Sequence, residues 1–338
     1  MKNINIHWEE LIIIYMMFLL IYNMVECFKI QLLALPLKVS PFDVRESKAL
    51  KRITGLSEWF CLNPTIILAD PFLFVDKDRL CLFYESKKLL TPGVIMMIST
   101  IDLKHWTKPR VVLKEKFHLS FPWVFTDAGK VYMVPETGTD GSIRVYEATD
   151  DTLTRWKLKR KLLELSPGNV MNMGYSDSSI YKKDGIYYLM TTVQYEDGIN
   201  TLELYYSDSL MGKYVKHPLS PIAHSQNVGR NAGSLQKING KLYRFSQNCV
   251  FRYGDNVHVS EITRLTTTEY QEHLVKENIY SSEIPFYNEG GHQFNMVKFK
   301  EQWVVATDAK EYHYLLYARI MNKLKSFLTC FRFRILTE

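Results

Sequence analysis

Along most of the chain, apolar and polar residues alternate in short runs broken by charged or glycine-containing turns. That period of two predicts half-buried strands joined by tight hairpins. One stretch, ADPFLFVDKDRLCLFYE (69–85), shows the unit clearly, and it recurs. Counterparts are SFPWVFTDAGKVYMVPE (120–136), SDSSIYKKDGIYYLMTT (176–192), NAGSLQKINGKLYRFSQ (231–247) and, more loosely, HQFNMVKFKEQWVVATD (292–308). Aligned on the turn, Asp70, Phe121, Asp177, Ala232 and Gln293 share a register, at intervals of 51, 56, 55 and 61 residues.

A third strand is predicted after each hairpin, at 94–100, 142–148, 201–207, 256–262 and 312–318. An aromatic then closes each unit: Trp106, Trp156, Tyr214, Tyr270 and Phe327. Fourth strands fit at 110–115, 161–165 and 331–336. A period near fifty residues is a propeller's signature, whereas a β-sandwich would need the spacing to be coincidental. The expected fold is all-β: a five-bladed β-propeller over residues 59–338, after an N-terminal apolar segment and linker at 1–58.

Within that segment, LIIIYMMFLLIYNMVECF (11–28) is apolar apart from Asn23 and Glu26. It is read as helical, and is slightly shorter than the roughly 20 residues a spanning helix needs. Glu9 and Glu10 precede it and no A-x-A site follows, which argues against a cleaved signal peptide. A membrane anchor or interfacial helix and a buried packing helix both remain open.

The repeat also sorts the acids. In a propeller the innermost strands run the same way, so their first residues ring one mouth. The antiparallel second strand returns its last residue to that mouth. Strand starts give Asp70, Phe121, Asp177, Ala232 and Gln293, with Arg230 and His292 close by. Strand ends give Glu85, Glu136, Thr192, Gln247 and Asp308, of which Asp308 is read as surface or supporting. Carboxyl groups gathered in a pocket raise one another's pKa, which suits acid–base work. Arg230 is the obvious cation for a substrate phosphate or carboxylate, or for a rim acid. His292 follows two glycines that would let backbone approach a ligand. Trp123, Tyr175 and Tyr253 are read as core, with sugar stacking as the alternative use.

Composition narrows the classes. The 338 residues are 46% hydrophobic and 23% charged, as in ordinary globular proteins, and the aromatic share of 13% favours strands. The net charge of +6 is spread out; its densest stretch, RWKLKRKLL (155–163), reads as a solvated outer strand. No nucleic-acid partner is expected. Five scattered cysteines offer no CxxC spacing, and the chain has no Asn-x-Ser/Thr acceptor other than Asn63, which Pro64 blocks. Both features fit a reducing, cytoplasmic location, with membrane association through residues 11–28. No phosphate-cradling loop, HExxH or nucleophile elbow occurs, so no cofactor and no metal is expected.

The motifs ADPFLF…FYE, FPWVF…YMVPET and GRNAGSL…LYRFSQNC…RYGD resemble the five-bladed propeller superfamily that includes the family 43 glycoside hydrolases. Over about residues 60–300 the chain is more similar to one branch, the propeller domain at the N-terminus of glucosamine inositolphosphorylceramide transferases. In the hydrolases a blade-one Asp is the base, a later Asp tunes pKa and a Glu of a following blade is the acid. The resemblance assigns Asp70 to the first role and Asp177 to the second. At the third, near Ala232, the chain has no carboxyl group, so Glu136 or Glu85 would have to substitute. In the plant-type transferases the propeller accompanies a separate transferase domain, which five blades leave no room for here.

The expected catalytic set is therefore Asp70, Asp177 and Glu136, with Glu85, Arg230, Gln247 and His292 binding substrate. Three functions are compatible: sugar transfer in glycan or glycolipid assembly, a non-catalytic glycan-binding propeller, or a glycoside hydrolase. The partner in each case is a carbohydrate or glycolipid.

Overall fold

The computed structural model describes residues 24–55, 63–165 and 174–314. Among them there is no α-helix, only strands and a few 3-10 turns, and no helix is long and apolar enough to cross a membrane. In chain order the strands are β1 (Met24–Pro36) and β2 (Lys48–Ile53), then the meander β3 (Thr65–Asp76), β4 (Arg79–Lys88), β5 (Val94–Thr100) and β6 (Arg110–Leu113). A second meander is β7 (Ser120–Asp127), β8 (Lys130–Glu136), β9 (Ser142–Ala148) and β10 (Trp156–Glu164). The third holds β11 (Tyr175–Lys183), β12 (Ile186–Gln194), β13 (Asn200–Ser207) and the short β14 (Val215–Lys216) and β15 (Ala223–His224). The fourth holds β16 (Arg230–Asn231), β17 (Gln236–Ile238), β18 (Lys241–Asn248), β19 (Asn256–Leu265) and β20 (Tyr270–Lys276). Last come β21 (Phe294–Phe299) and β22 (Gln302–Tyr314).

Hydrogen bonding groups these into four sheets. The largest runs β21-β22-β1-β3-β4-β5-β6, with β2 on β1. It consists of two antiparallel sets joined by one parallel pair, Phe28 opposite Ile67. Consecutive sets share apolar cores. Phe83 and Met97 of the first meander meet Met133 and Tyr146 of the second. Val134 and Val145 meet Leu189 and Val193, and Met190 and Leu204 meet Leu235 and Ile262. Phe245 and Val259 meet Phe294 and Val305. Finally Ile30, Leu32 and Val304 meet Leu68, Leu82 and Ile98, returning to the first meander. The outer strand β10 is largely exposed, which fits its lysines and arginines.

Three expectations change at the N-terminal end. Residues 24–28 of the apolar run are strand, not helix, because β1 pairs antiparallel with β22 along its whole length, Met24 opposite Tyr314 through Pro36 opposite Gln302. Residues 11–23 lie outside the described residues. Secondly, β1 and β2 fall in the stretch read as a separate segment and linker, yet they are part of the largest sheet. Thirdly, the place next to β22 expected for a strand at 312–318 is taken by β1; residues 312–314 instead continue β22 itself. Phe327 and the strand expected at 331–336 lie outside the described residues. Apart from Lys29, β1 is buried from Cys27 to Leu35 on both faces, and a strand so covered carries no alternation to separate it from the apolar run before it.

Candidate active site

Each of the first three innermost strands is bent at the same register position. Pairing slips between Ala69 and Phe72 in β3, between Ser120 and Trp123 in β7, and between Ser176 and Ser179 in β11. At each slip one non-glycine residue is left-handed: Asp70 (φ 51°), Phe121 (φ 45°) and Asp177 (φ 50°). A bulge re-aims a side chain, and a left-handed residue that is not glycine costs energy, so strain is held here in triplicate.

The strain is supported by a relay of side chains passed between neighbouring sets. Asp308 Oδ2 accepts from the Asp70 N–H (3.1 Å), and Asp70 Oδ2 accepts from the Phe121 N–H (3.0 Å). Glu136 Oε2 accepts from the Asp177 N–H (3.3 Å), and Thr192 Oγ1 accepts from the Asn231 N–H (3.2 Å). Asp308 Oδ1 also accepts from the backbone of His292 and Gln293, at 2.9 and 3.0 Å. The bulges free backbone donors, and the rim carboxylates and Thr192 accept from them.

These elements enclose a cavity of about 160 Å³ lined by Asp70, Glu85, Glu136, Asp177, Arg230 and His292, together with Phe28, His118 and Tyr253. Six of the seven sequence-derived site residues thus share one chamber. The seventh, Gln247, is buried beside it: its Nε2 donates to the Asn231 carbonyl (2.9 Å) and lies 3.4 Å from Asp177 Oδ2. Ala232, where the resemblance puts an acid, is fully buried and its N–H bonds the Phe245 carbonyl.

Charge in the chamber is unevenly distributed. Arg230 Nε sits 2.7 Å from Asp177 Oδ2, and the Arg230 guanidinium lies 5.0 Å from the Tyr253 ring centre. Arg230 keeps its charge because the Asp177 and Glu136 carboxyls outweigh the cost of burial. His292 Nδ1 is 2.7 Å from Asp308 Oδ2, and its Nε2 is 3.7 Å from Asp70 Oδ1. Burial alone would lower the imidazole; Asp308 overcomes it and holds His292 above its ordinary value. Arg230 and His292 both have carboxylate partners, and Lys87 also lines the cavity.

The acids shift the other way. Burial pushes Asp70 up to about 7, reinforced by Asp177 and Asp308 and opposed by His292 and the Phe121 N–H. Burial also raises Glu136 to about 8; Asp177 adds to this, both by its charge and by a hydrogen bond between the two carboxyls, while Arg230 opposes it. Glu85, buried beside Asp70 and 3.4 Å from His118 Nε2, is held well above the usual carboxylate range. The arrangement places two carboxyls that change charge near neutrality opposite one guanidinium.

Asp308, read as surface or supporting, is supporting: fully buried, it accepts from the backbone of Asp70, His292 and Gln293. Its signal was present, since it ends the second strand of the fifth repeat as Glu85 ends that of the first. Tyr253, read as core, is instead 40% exposed in the cavity wall, packing edge-on against His292 at 5.2 Å. The glycines before His292 serve close packing: a Cβ on Gly291 would lie 2.4 Å from the Asp308 carbonyl, and Gly290 (φ 91°) abuts the Asp255 carbonyl. Asp70, His292 and Asp308 bring one potential ligand atom each within 4.8 Å, a set a divalent cation could use only by competing with the His292–Asp308 contact.

The family described as glucosamine inositolphosphorylceramide transferase 1, N-terminal, matches residues 54–309. The chain belongs to this family. Among curated relatives it is 36% identical to the glucosamine inositolphosphorylceramide transferase 1 of Arabidopsis thaliana over 216 residues, 62% of this chain and 27% of that one. It is 33% identical to the Oryza sativa subsp. japonica protein of the same name over 254 residues, 69% of this chain and 33% of that one. The chain therefore spans about a third of the length of the relatives it matches. Among solved structures, a family 117 glycoside hydrolase from Zobellia galactanivorans superposes with a TM-score of 0.51 at 12% identity, covering 74% of this chain and 85% of that one. The fold of this family member is thus a β-propeller of the type seen in glycoside hydrolases.

Proposed function

We propose that this domain is a carbohydrate-active module of five blades whose acidic mouth takes a sugar and serves its transfer in glycan or glycolipid assembly. The cyclic succession of apolar cores supports five blades, the largest sheet counting as two of them. One observation carries the functional reading: Asp70, Glu136, Asp177 and Arg230 line one small chamber, where burial pushes Asp70 up to about 7 and Glu136 up to about 8. At roughly 30 Å³ per water the chamber holds about five waters, the scale of a single sugar ring.

In this reading Asp70 is the base that takes a proton from the attacking hydroxyl. Glu136, protonated and hydrogen-bonded to Asp177, is the acid on the leaving side. Asp177 and Arg230 hold each other and fix Glu136. Glu85, Gln247 and His292 bind or orient the sugar. The names of the relatives favour a sugar-bearing inositolphosphorylceramide as the acceptor or product class.

The test is incubation of the purified chain with activated sugars and inositol-phospholipid acceptors, alongside Asp70→Asn and Glu136→Gln. Each substitution should lower turnover by about 10²–10⁴-fold with the fold intact. Wild-type turnover should peak between about pH 7 and 8, where the base is ionised and the acid is not. Undiminished turnover in Asp70→Asn rejects the scheme.

A second reading, a glycan-binding module without catalysis, is favoured by Ala232 standing where the resemblance puts an acid. Sugar binding that survives Asp70→Asn with Asp177→Asn, and no turnover on any donor, would select it.

A further inference from the structure

Beside the cavity mouth, the loop after β18 carries the most exposed large apolar side chain of the described residues. Phe251 is 87% exposed, and its neighbour Val250 is 53% exposed. A phenylalanine held in water forgoes the burial that would stabilise it, so such a tip invites a partner. The loop is braced from beneath. Lys310, fully buried, donates through Nζ to the Tyr253 carbonyl and lies 3.2 Å from Glu26 Oε2. Arg252 is neutralised by Asp255 and Glu289, both at 2.9 Å. Gly254 (φ 61°) sits so near His292 that a Cβ would come within 2.9 Å of the histidine's own. The apolar tip is thus presented on a fixed base.

Lys310 also ties this loop to the start of β1. Glu26 and Phe28 line the cavity, so β1 enters the sheet at the mouth and leaves at the other end. Its first described residue, Met24, is 48% exposed, and the thirteen residues before it, LIIIYMMFLLIYN (11–23), carry no charge. The exposed tip and the start of β1 therefore sit on one side of one opening, joined through a single buried lysine.

We propose that the cavity mouth docks on a lipid bilayer surface, with Val250 and Phe251 inserted at the interface on the side where the apolar run joins the body. The partner is the lipid surface itself: the charges around the tip are already paired, so contact is by apolar insertion and not by attraction to a charged protein. A bilayer there would turn the chamber toward headgroups. The orientation is independent of whether the acids catalyse.

The experiment uses the full chain with vesicles of phosphatidylcholine and phosphatidylinositol, some made with brominated acyl chains. Phe251→Trp should gain emission that shifts to the blue on vesicle addition and is quenched by the brominated lipid beyond the quenching of the native tryptophans. Ile101→Trp, just past β5 at the opposite end of the strands, should match the wild-type quenching. Phe251→Asp should lower vesicle partitioning by about tenfold. The proposal is overturned if the chain does not bind vesicles, or if Phe251→Trp and Ile101→Trp respond alike. It is also overturned if the Phe251→Trp emission is already blue-shifted without lipid and indifferent to it, which would mean that protein covers the tip. No sugar enters these readouts, so they fail or succeed separately from the transfer reading.

Discussion

Asp70 is held between two backbone donors and two charges: its own N–H is fixed by Asp308 while its carboxyl fixes Phe121 and faces His292. Its folded pKa, raised to about 7, exceeds the ordinary carboxylate value, and the same is true of Glu136 at about 8. An acid whose folded pKa is raised binds more protons folded than unfolded between those two values. Stability therefore falls as pH rises from about 4 through about 8. Glu136→Gln removes one titration, so it should raise the melting temperature at pH 8 and do little at pH 5; scanning calorimetry at both values checks this. Asp308→Asn should behave oppositely. It takes the counter-charge from His292 and weakens three backbone caps, costing about 2–4 kcal/mol at neutral pH in denaturant titrations. The rim acids were legible because a hairpin necessarily returns its second end to the level of its first. The dependence of His292 on Asp308 was not, since no local pattern says which acid a buried imidazole will meet.

At the scale of the strand, the period of two located the hairpins from β3 to β19 closely, because one face of each strand packs in a core while the turns stay polar. The bulges left a weaker trace: two aspartates, Asp70 and Asp177, and a phenylalanine, Phe121, occupy the same left-handed position. What they share is a neighbouring set that supplies a hydrogen-bond acceptor. The hairpin turns are easier to improve. Ala128 is exposed, adopts φ 47° and precedes Gly129, in a two-residue turn that favours Asn-Gly. Ala128→Asn should stabilise the protein by about 0.5–1 kcal/mol, read as a higher urea midpoint with an unchanged slope.

For the whole molecule, the decisive contact is the one between the chain's early and late strands. β1 is hydrogen-bonded to β22 on one side and touches β3 on the other, and Ile30 and Leu32 lie fully buried where the last set meets the first. Ile30→Ala should cost about 2–5 kcal/mol, with no loss of far-UV strand signal below the shifted transition. This closure was hidden in the sequence because a strand covered on both faces has no alternation to betray it, and residues 24–28 shared their apolar character with the run before them.

That seam also sets the order of events during synthesis. Lys29 and Glu311, 2.8 Å apart in an ion pair, are separated by 282 positions along the chain. The β22 side of β1 stays open until the ribosome has delivered its mate, while β2 can cover part of the other side. A protein assembled this way should mature slowly and lean on chaperones meanwhile, because an early strand is among the last to complete its pairing.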